Sequence, residues 1–145
     1  MNNFEKNKKD LLDTIKSLRQ VENIEKPAEV EVVFYGVECP FLNGLVEHTK
    51  KHFSLKAFAS HELAISYCFD NPVRLVILDM DLPTDWKMAT DVFTNVRTMK
   101  PDVQFILMTT NPRSIPVLTL AAQSAKVLKK PFVFEMLLSE IKTAV

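Results

Sequence analysis

The chain has 145 residues, of which 47% are hydrophobic and 25% charged, a composition typical of one globular domain with a substantial core. Lys+Arg 18 balances Asp+Glu 18, so the formal net charge is zero. Because nucleic acids and anionic membranes are bound through a basic excess, we expect neither as the main partner. The two glycines, Gly36 and Gly44, are too few for a glycine-rich phosphate-binding loop.

The sequence carries no sign of export or of membrane insertion. Its apolar runs are shorter than the about 18–20 residues that span a bilayer, and its first residues lack the apolar segment of a signal peptide. The two cysteines, Cys39 and Cys68, do not form a CxxC pair. We therefore expect a cytoplasmic protein with reduced thiols, in which Cys68 fills the core.

Residues 1–27 are expected to form an N-terminal unit, an amphipathic helix over about residues 3–22 followed by a linker that Pro27 interrupts. Its apolar residues recur at helical spacing: Leu11, Leu12, Ile15 and Leu18. Because an isolated helix of this length is marginal in water, the stripe needs a surface to cover. We predict a weak homodimer or the docking of a partner protein, in preference to packing on the same domain.

Residues 28–145 alternate between strand and helix patterns and are expected to form a second unit. Runs of β-branched and apolar residues predict strands at about 30–35, 55–59, 75–78, 103–108 and 126–129. Helices are predicted at about 40–53, 60–69 and 86–99, in a short segment ending near 124, and at 131–145. Such connections require parallel strands and right-handed crossovers. The expected fold is therefore an α/β, flavodoxin-like, doubly wound five-stranded parallel sheet.

Function in such a sheet is expected at the carboxyl ends of the strands. Asp79 ends the third strand in LVILDMDLP, Thr109 ends the fourth in FILMTT, and Lys130 follows the fifth in VLKKPF. This combination resembles the receiver domain of bacterial two-component response regulators (CheY-like) over about residues 30–144. The resemblance implies that Asp79 takes the place of the aspartate that accepts a phosphoryl group. It also implies that Thr109 and Lys130 hold the phosphoryl oxygens, with Mg²⁺ neutralising the charge.

Several features depart from the pattern of that family, and two of them involve residues of the predicted site and switch. The first strand ends in residues without a carboxylate, where the family has two acids that hold Mg²⁺: Phe34, Tyr35 and Gly36. Val127 stands at the position of the aromatic switch residue. Because Mg²⁺ usually takes at least one fixed carboxylate besides the substrate, we expect weak or absent Mg²⁺ binding, no other metal site and no cofactor. The sequence thus resembles a degenerate receiver, or pseudo-receiver.

The remaining acids near the predicted site are given other roles. Asp81 is expected to face solvent rather than the pocket, and Asp85 is expected to cap the next helix. Glu38 could reach the site only if its loop folds inward. In the absence of metal and phosphate, Asp79 and Lys130 are expected to form a structural ion pair. His48 and His52, four residues apart, are expected to lie on a solvated helix face rather than to bind metal.

These patterns predict a signalling module that is not an enzyme and that acts by binding other proteins, with impaired Mg²⁺ and phosphoryl chemistry. The alternative is a phosphorylatable single-domain response regulator that accepts phosphate on Asp79 from a histidine kinase, with Glu38 replacing the missing acids. A third hypothesis is a flavodoxin-like domain that binds a small ligand, because this fold hosts many functions.

Overall fold

The computed structural model describes residues 31–145. The predicted N-terminal helix, its apolar stripe and the predicted homodimer contact lie outside the described residues and stay predictions. Five strands are present: β1 (Glu31–Tyr35), β2 (Ser54–Phe58), β3 (Leu75–Asp79), β4 (Gln104–Thr109) and β5 (Lys126–Lys129). Five helices alternate with them: α1 (Pro40–Thr49), α2 (His61–Asp70), α3 (Trp86–Met99), α4 (Ile115–Ala121) and α5 (Phe134–Ala144).

The five strands form one parallel sheet in the order β2-β1-β3-β4-β5. Each strand is joined to the next by a helix, so the predicted flavodoxin-like α/β fold is confirmed for the described part of the chain. Strand β3 lies at the centre, and each of its five residues is buried, as expected for a strand covered on both faces. None of the helices within residues 31–145 is long and apolar enough to cross a membrane.

Alternating side chains of the strands divide the core into two layers, one on each face of the sheet. On one face, residues such as Val33, Val76 and Leu107 pack against α2, α3 and α4. On the other face, residues such as Phe34 and Ile77 pack against α1 and α5. The first layer also contains the fully buried Cys68, which confirms its predicted place in the core.

Three helix boundaries differ from the sequence prediction. Helix α1 ends at Thr49 rather than near residue 53, and residues 50–52 follow it as a turn in which the Thr49 carbonyl accepts from the N–H groups of His52 and Phe53. Helix α4 ends at Ala121, and three residues later Ser124 has a φ of 77°, a left-handed conformation that a helix cannot continue. Helix α5 begins at Phe134 rather than at residue 131, because the residue before it, Val133, has an extended backbone and forms the N-cap.

The core between β4 and α3 generates a stability prediction. Phe93 is fully buried, and its ring centroid lies 4.5 Å from that of Phe105. We expect Phe93→Ala to lower the free energy of unfolding by about 3–5 kcal/mol, because it removes a buried ring and leaves a cavity. The control is Phe69→Ala, since Phe69 is 57% exposed and an exposed residue contributes about 0.5 kcal/mol or less. Urea denaturation measures both, and equal losses would contradict this description of the core.

Candidate functional site

The carboxyl ends of three neighbouring strands bring the predicted site residues together. Asp79 is the last residue of β3, Thr109 is the last residue of β4, and Lys130 follows β5 directly. Two backbone hydrogen bonds hold these ends side by side. Lys130 N–H donates to the Thr109 carbonyl at 2.8 Å, and Met80 N–H donates to the Met108 carbonyl at 3.0 Å. The parallel pairing of the strands therefore fixes the backbone position of each of these three residues.

The Lys130 ammonium group lies between two carboxylates. Its Nζ is 2.9 Å from Asp79 Oδ1 and 3.2 Å from Asp81 Oδ2, so the ion pair predicted for Asp79 and Lys130 is present. The Asp79 side chain is 1% exposed and the Lys130 side chain 13%, which places the pair in a shielded environment. Lys130 Nζ also lies 4.6 Å from the centroid of the Phe41 ring, a cation–π contact supplied by α1.

Asp81 belongs to the site, and the prediction that it faces solvent is wrong. Its Oδ1 accepts from the Thr109 hydroxyl at 2.9 Å, and its Oδ2 accepts from the Thr110 N–H at 2.9 Å. The reason is a turn directly after β3. Asp81 N–H donates to Asp79 Oδ1 at 3.1 Å, and the Asp81 carbonyl accepts from Thr84 N–H at 2.9 Å. Asp79 and Asp81, two residues apart, therefore point to the same side, and the turn brings the Asp81 carboxylate to the end of β4.

The last residues of β1 pack in the core and bring no carboxylate to the site. Phe34 and Tyr35 are both buried, and they belong to the core layers on opposite faces of the sheet. Gly36 follows at a point of close approach, where an added Cβ would lie 2.9 Å from Asp79 Cβ and 2.9 Å from Leu42 Cδ2. The absence of a side chain at Gly36 thus lets the start of the β1–α1 loop pass against Asp79.

The other predicted acids lie away from the two carboxylates or have a different task. Glu38 is exposed and lines a groove beside α1 and β2, not the cavity over Asp79. Asp85 accepts from Lys87 N–H at 2.9 Å, which confirms its predicted role as the N-cap of α3. Within residues 31–145, the structure has no group of three or more His, Cys, Asp or Glu side chains that could hold a metal ion. The two carboxylates nearest each other at these strand ends, Asp79 and Asp81, share the Lys130 ammonium group.

A cavity of about 710 Å³ opens over the site. Charged and polar groups line one part of it, among them Asp79, Asp81, Thr109 and Lys130. Apolar side chains that are partly or largely exposed line another part: Phe41, Leu82 and Trp86.

Three predicted positions lie outside this cavity. Val127, at the switch position, is 36% exposed on β5. His48 and His52 are exposed as predicted, and both rings contact Phe134.

Solved structures with this fold include receiver domains. The BeF3-activated receiver domain of DrrB from Thermotoga maritima is 22% identical, with a TM-score of 0.66 over 79% of this chain and 95% of that chain. A response regulator receiver protein from Sinorhizobium medicae is 19% identical, with a TM-score of 0.61 over 84% and 96% of the two chains. The chemotaxis protein CheY4 of Vibrio cholerae is 17% identical, with a TM-score of 0.63 over 80% and 98%. No protein-family model and no curated protein matches the sequence. At these identities, the similarity establishes the fold of the chain as that of receiver domains.

The two glycines provide a matched pair of variants. Gly36→Ala should lower the free energy of unfolding by about 1–3 kcal/mol, because the new methyl group overlaps atoms of Asp79 and Leu42. Gly44→Ala should raise it by about 0.5–1 kcal/mol, because Gly44 lies inside α1 and an added Cβ meets nothing within 4 Å. Denaturant titration measures both changes. A stabilising effect of Gly36→Ala would contradict the close approach to Asp79.

Tyr35 is expected to couple stability to alkaline pH. Burial raises the pKa of its phenol, and the Asp85 carboxylate raises it further. The folded chain therefore holds this proton more tightly than the unfolded chain. This contribution to stability is present below the ordinary phenol pKa of about 10 and is lost as pH rises through the folded pKa. Unfolding free energies measured across this range should fall less steeply for Tyr35→Phe than for wild type. Identical slopes for wild type and Tyr35→Phe would refute the coupling.

Proposed function

We propose that this chain is an atypical receiver module that acts in signal transduction by binding other proteins, without enzyme activity of its own. In this proposal, phosphoryl transfer to Asp79 is impaired. The observation that carries it is the sharing of one ammonium group, that of Lys130, by the carboxylates of Asp79 and Asp81. The fold, which is that of receiver domains, supports the assignment to signalling.

The charge balance at the site argues against efficient phosphoryl transfer. Two carboxylates and one ammonium group leave a net charge of −1 where an anionic phosphoryl donor would have to approach. Like charges within a few ångströms repel each other, and in phosphoryl transfer a divalent cation usually neutralises this charge. β1 ends in the buried Phe34 and Tyr35 and adds no carboxylate for such a cation, and the two carboxylates that are present are already paired with Lys130.

Hydrogen bonding gives a second argument. The Asp79 carboxylate is the group that would attack a phosphoryl donor, and its Oδ1 already accepts from Lys130 Nζ and from the Asp81 N–H. These bonds stabilise the carboxylate and lower its nucleophilicity. A transferred phosphoryl group would also need donors for its oxygens, and the nearby hydroxyl of Thr109 and amide of Thr110 are engaged by Asp81.

Exposed apolar side chains support a role in protein binding. Leu82 is 87% exposed and Trp86 43%, and both line the cavity over the charged groups. On α4, Ile115 is 77% exposed and Leu118 51%. Large apolar side chains that stay in contact with water are typical of surfaces that bind another protein. The expected partners are other signalling proteins, and the absence of nucleic-acid and membrane partners stays a prediction.

The alternative function is that of a phosphorylatable single-domain response regulator that accepts phosphate on Asp79 from a histidine kinase. The convergence of Asp79, Thr109 and Lys130 favours it. Glu38, which this alternative needs as a substitute acid, is exposed and lines a different groove. The third hypothesis, a domain for a small ligand, also stays a prediction.

Beryllofluoride with Mg²⁺ separates the leading proposal from the alternative. This mimic of a phosphoryl group should leave the amide NMR signals of Asp81, Thr109 and Thr110 unchanged at millimolar Mg²⁺, and Mg²⁺ alone should not quench the fluorescence of Trp86. The receiver domain of DrrB, known in a BeF3-activated form, is the positive control for the reagent. Saturable shifts of the Thr109 and Thr110 amides in this chain would favour the phosphorylatable alternative.

A further inference from the structure

The Asp81 carboxylate contacts three different kinds of donor, two through hydrogen bonds and the third through an ion pair. They are the Thr109 hydroxyl at 2.9 Å, the Thr110 backbone N–H at 2.9 Å and the Lys130 ammonium group at 3.2 Å. A hydroxyl, an amide and a cation that converge on one point form a binding site for an oxyanion. Both oxygens of the carboxylate have donor partners, so the Asp81 side chain occupies the position that a bound anion would take.

The backbone holds these donors in place independently of Asp81. The Thr109 hydroxyl oxygen accepts from Asn111 N–H at 3.0 Å, which leaves its proton directed to Asp81. The Thr109 carbonyl accepts from Lys130 N–H at 2.8 Å, which fixes β4 against β5. Thr109 is 2% exposed, and the Lys130 side chain is also anchored by Asp79 at 2.9 Å. The donor positions therefore should persist without the carboxylate.

We propose that these three donors form a preformed oxyanion site and that the Asp81 carboxylate is its internal ligand. Without this carboxylate, the site binds a small tetrahedral oxyanion such as inorganic phosphate or sulfate. In the native chain, Asp81 links the ends of β3, β4 and β5 permanently, as a bound phosphoryl group would, with no covalent modification. This inference rests on the proposed function, because it gives the reason why the donors do not serve a phosphoryl group.

Competition favours the internal ligand for two reasons. Asp81 follows Asp79 by two residues and is held by its own N–H on Asp79 Oδ1, so its effective concentration at the donors is far above that of a solution anion. Its charge, added to that of Asp79, also repels an incoming anion. Removal of the Asp81 charge leaves the pair of Asp79 and Lys130, which is neutral overall.

The test titrates inorganic sulfate and inorganic phosphate, without Mg²⁺, into wild type and Asp81→Ala. Amide NMR signals of Thr110 and Asn111 report occupancy of the site. We expect saturable shifts in Asp81→Ala, with an affinity at least about tenfold higher than in wild type. Addition of Lys130→Met to Asp81→Ala should abolish the shifts. Asp102→Ala is the matched control, because it removes the same charge from an exposed residue before β4 and should behave as wild type.

Two further measurements keep the test decisive if Asp81→Ala does not fold. Asp81→Asn keeps the shape of the side chain without its charge and should also bind sulfate more tightly than wild type. In wild type itself, the Thr110 amide should exchange slowly with solvent, because its proton is bonded to Asp81. Equal affinities in wild type and both Asp81 variants, or rapid exchange at Thr110, would overturn the inference.

The outcomes also separate this inference from the proposed function. If the Asp81 variants bind no oxyanion and wild type does not respond to beryllofluoride, the inference about Asp81 is refuted. The impaired phosphoryl chemistry is then explained by the absence of carboxylates at the end of β1. If wild type responds to beryllofluoride with Mg²⁺, the proposed function fails, while the sulfate titration without metal still reports on the oxyanion site.

Discussion

The ammonium group of Lys130 is the contact on which the arrangement of the strand ends depends. It lies 2.9 Å from one carboxylate and 3.2 Å from another, in a place where both acids are largely shielded from water. A buried carboxylate is costly unless it is paired and hydrogen-bonded, and two together repel each other. Lys130 therefore makes the close approach of Asp79 and Asp81 possible, and through them it joins β3 to β4 and β5.

The end of β1 explains why one lysine is sufficient. Phe34 and Tyr35 contribute to the two core layers, so the site contains two carboxylates rather than a larger acidic cluster. A larger cluster would need a divalent cation to balance its charge. Here the balance is supplied by Lys130, by the Thr109 hydroxyl and by backbone N–H groups. The same replacement gives the chain a more apolar sheet end.

The sequence allowed the fold to be predicted, but only part of the site. Apolar β-branched runs give the strands, since a strand buried on both faces needs them, and the resemblance directed attention to Asp79, Thr109 and Lys130. The prediction that Asp81 faces solvent is wrong because residues two apart in an extended segment share a side, and a side-chain hydrogen bond to Asp79 then directs the turn toward β4. The contact of Phe41 with Lys130 joins distant parts of the chain, and no local pattern signals it.

The free energy of unfolding of Lys130→Met tests most directly whether this lysine is the shared counter-ion. Loss of the ammonium group would leave two neighbouring carboxylates without their cation, so we predict a loss of about 3–5 kcal/mol. The neighbouring Lys129 is exposed, and Lys129→Met should change the value by about 0.5 kcal/mol or less. Equal effects of the two substitutions, or a gain in stability for Lys130→Met, would contradict the account.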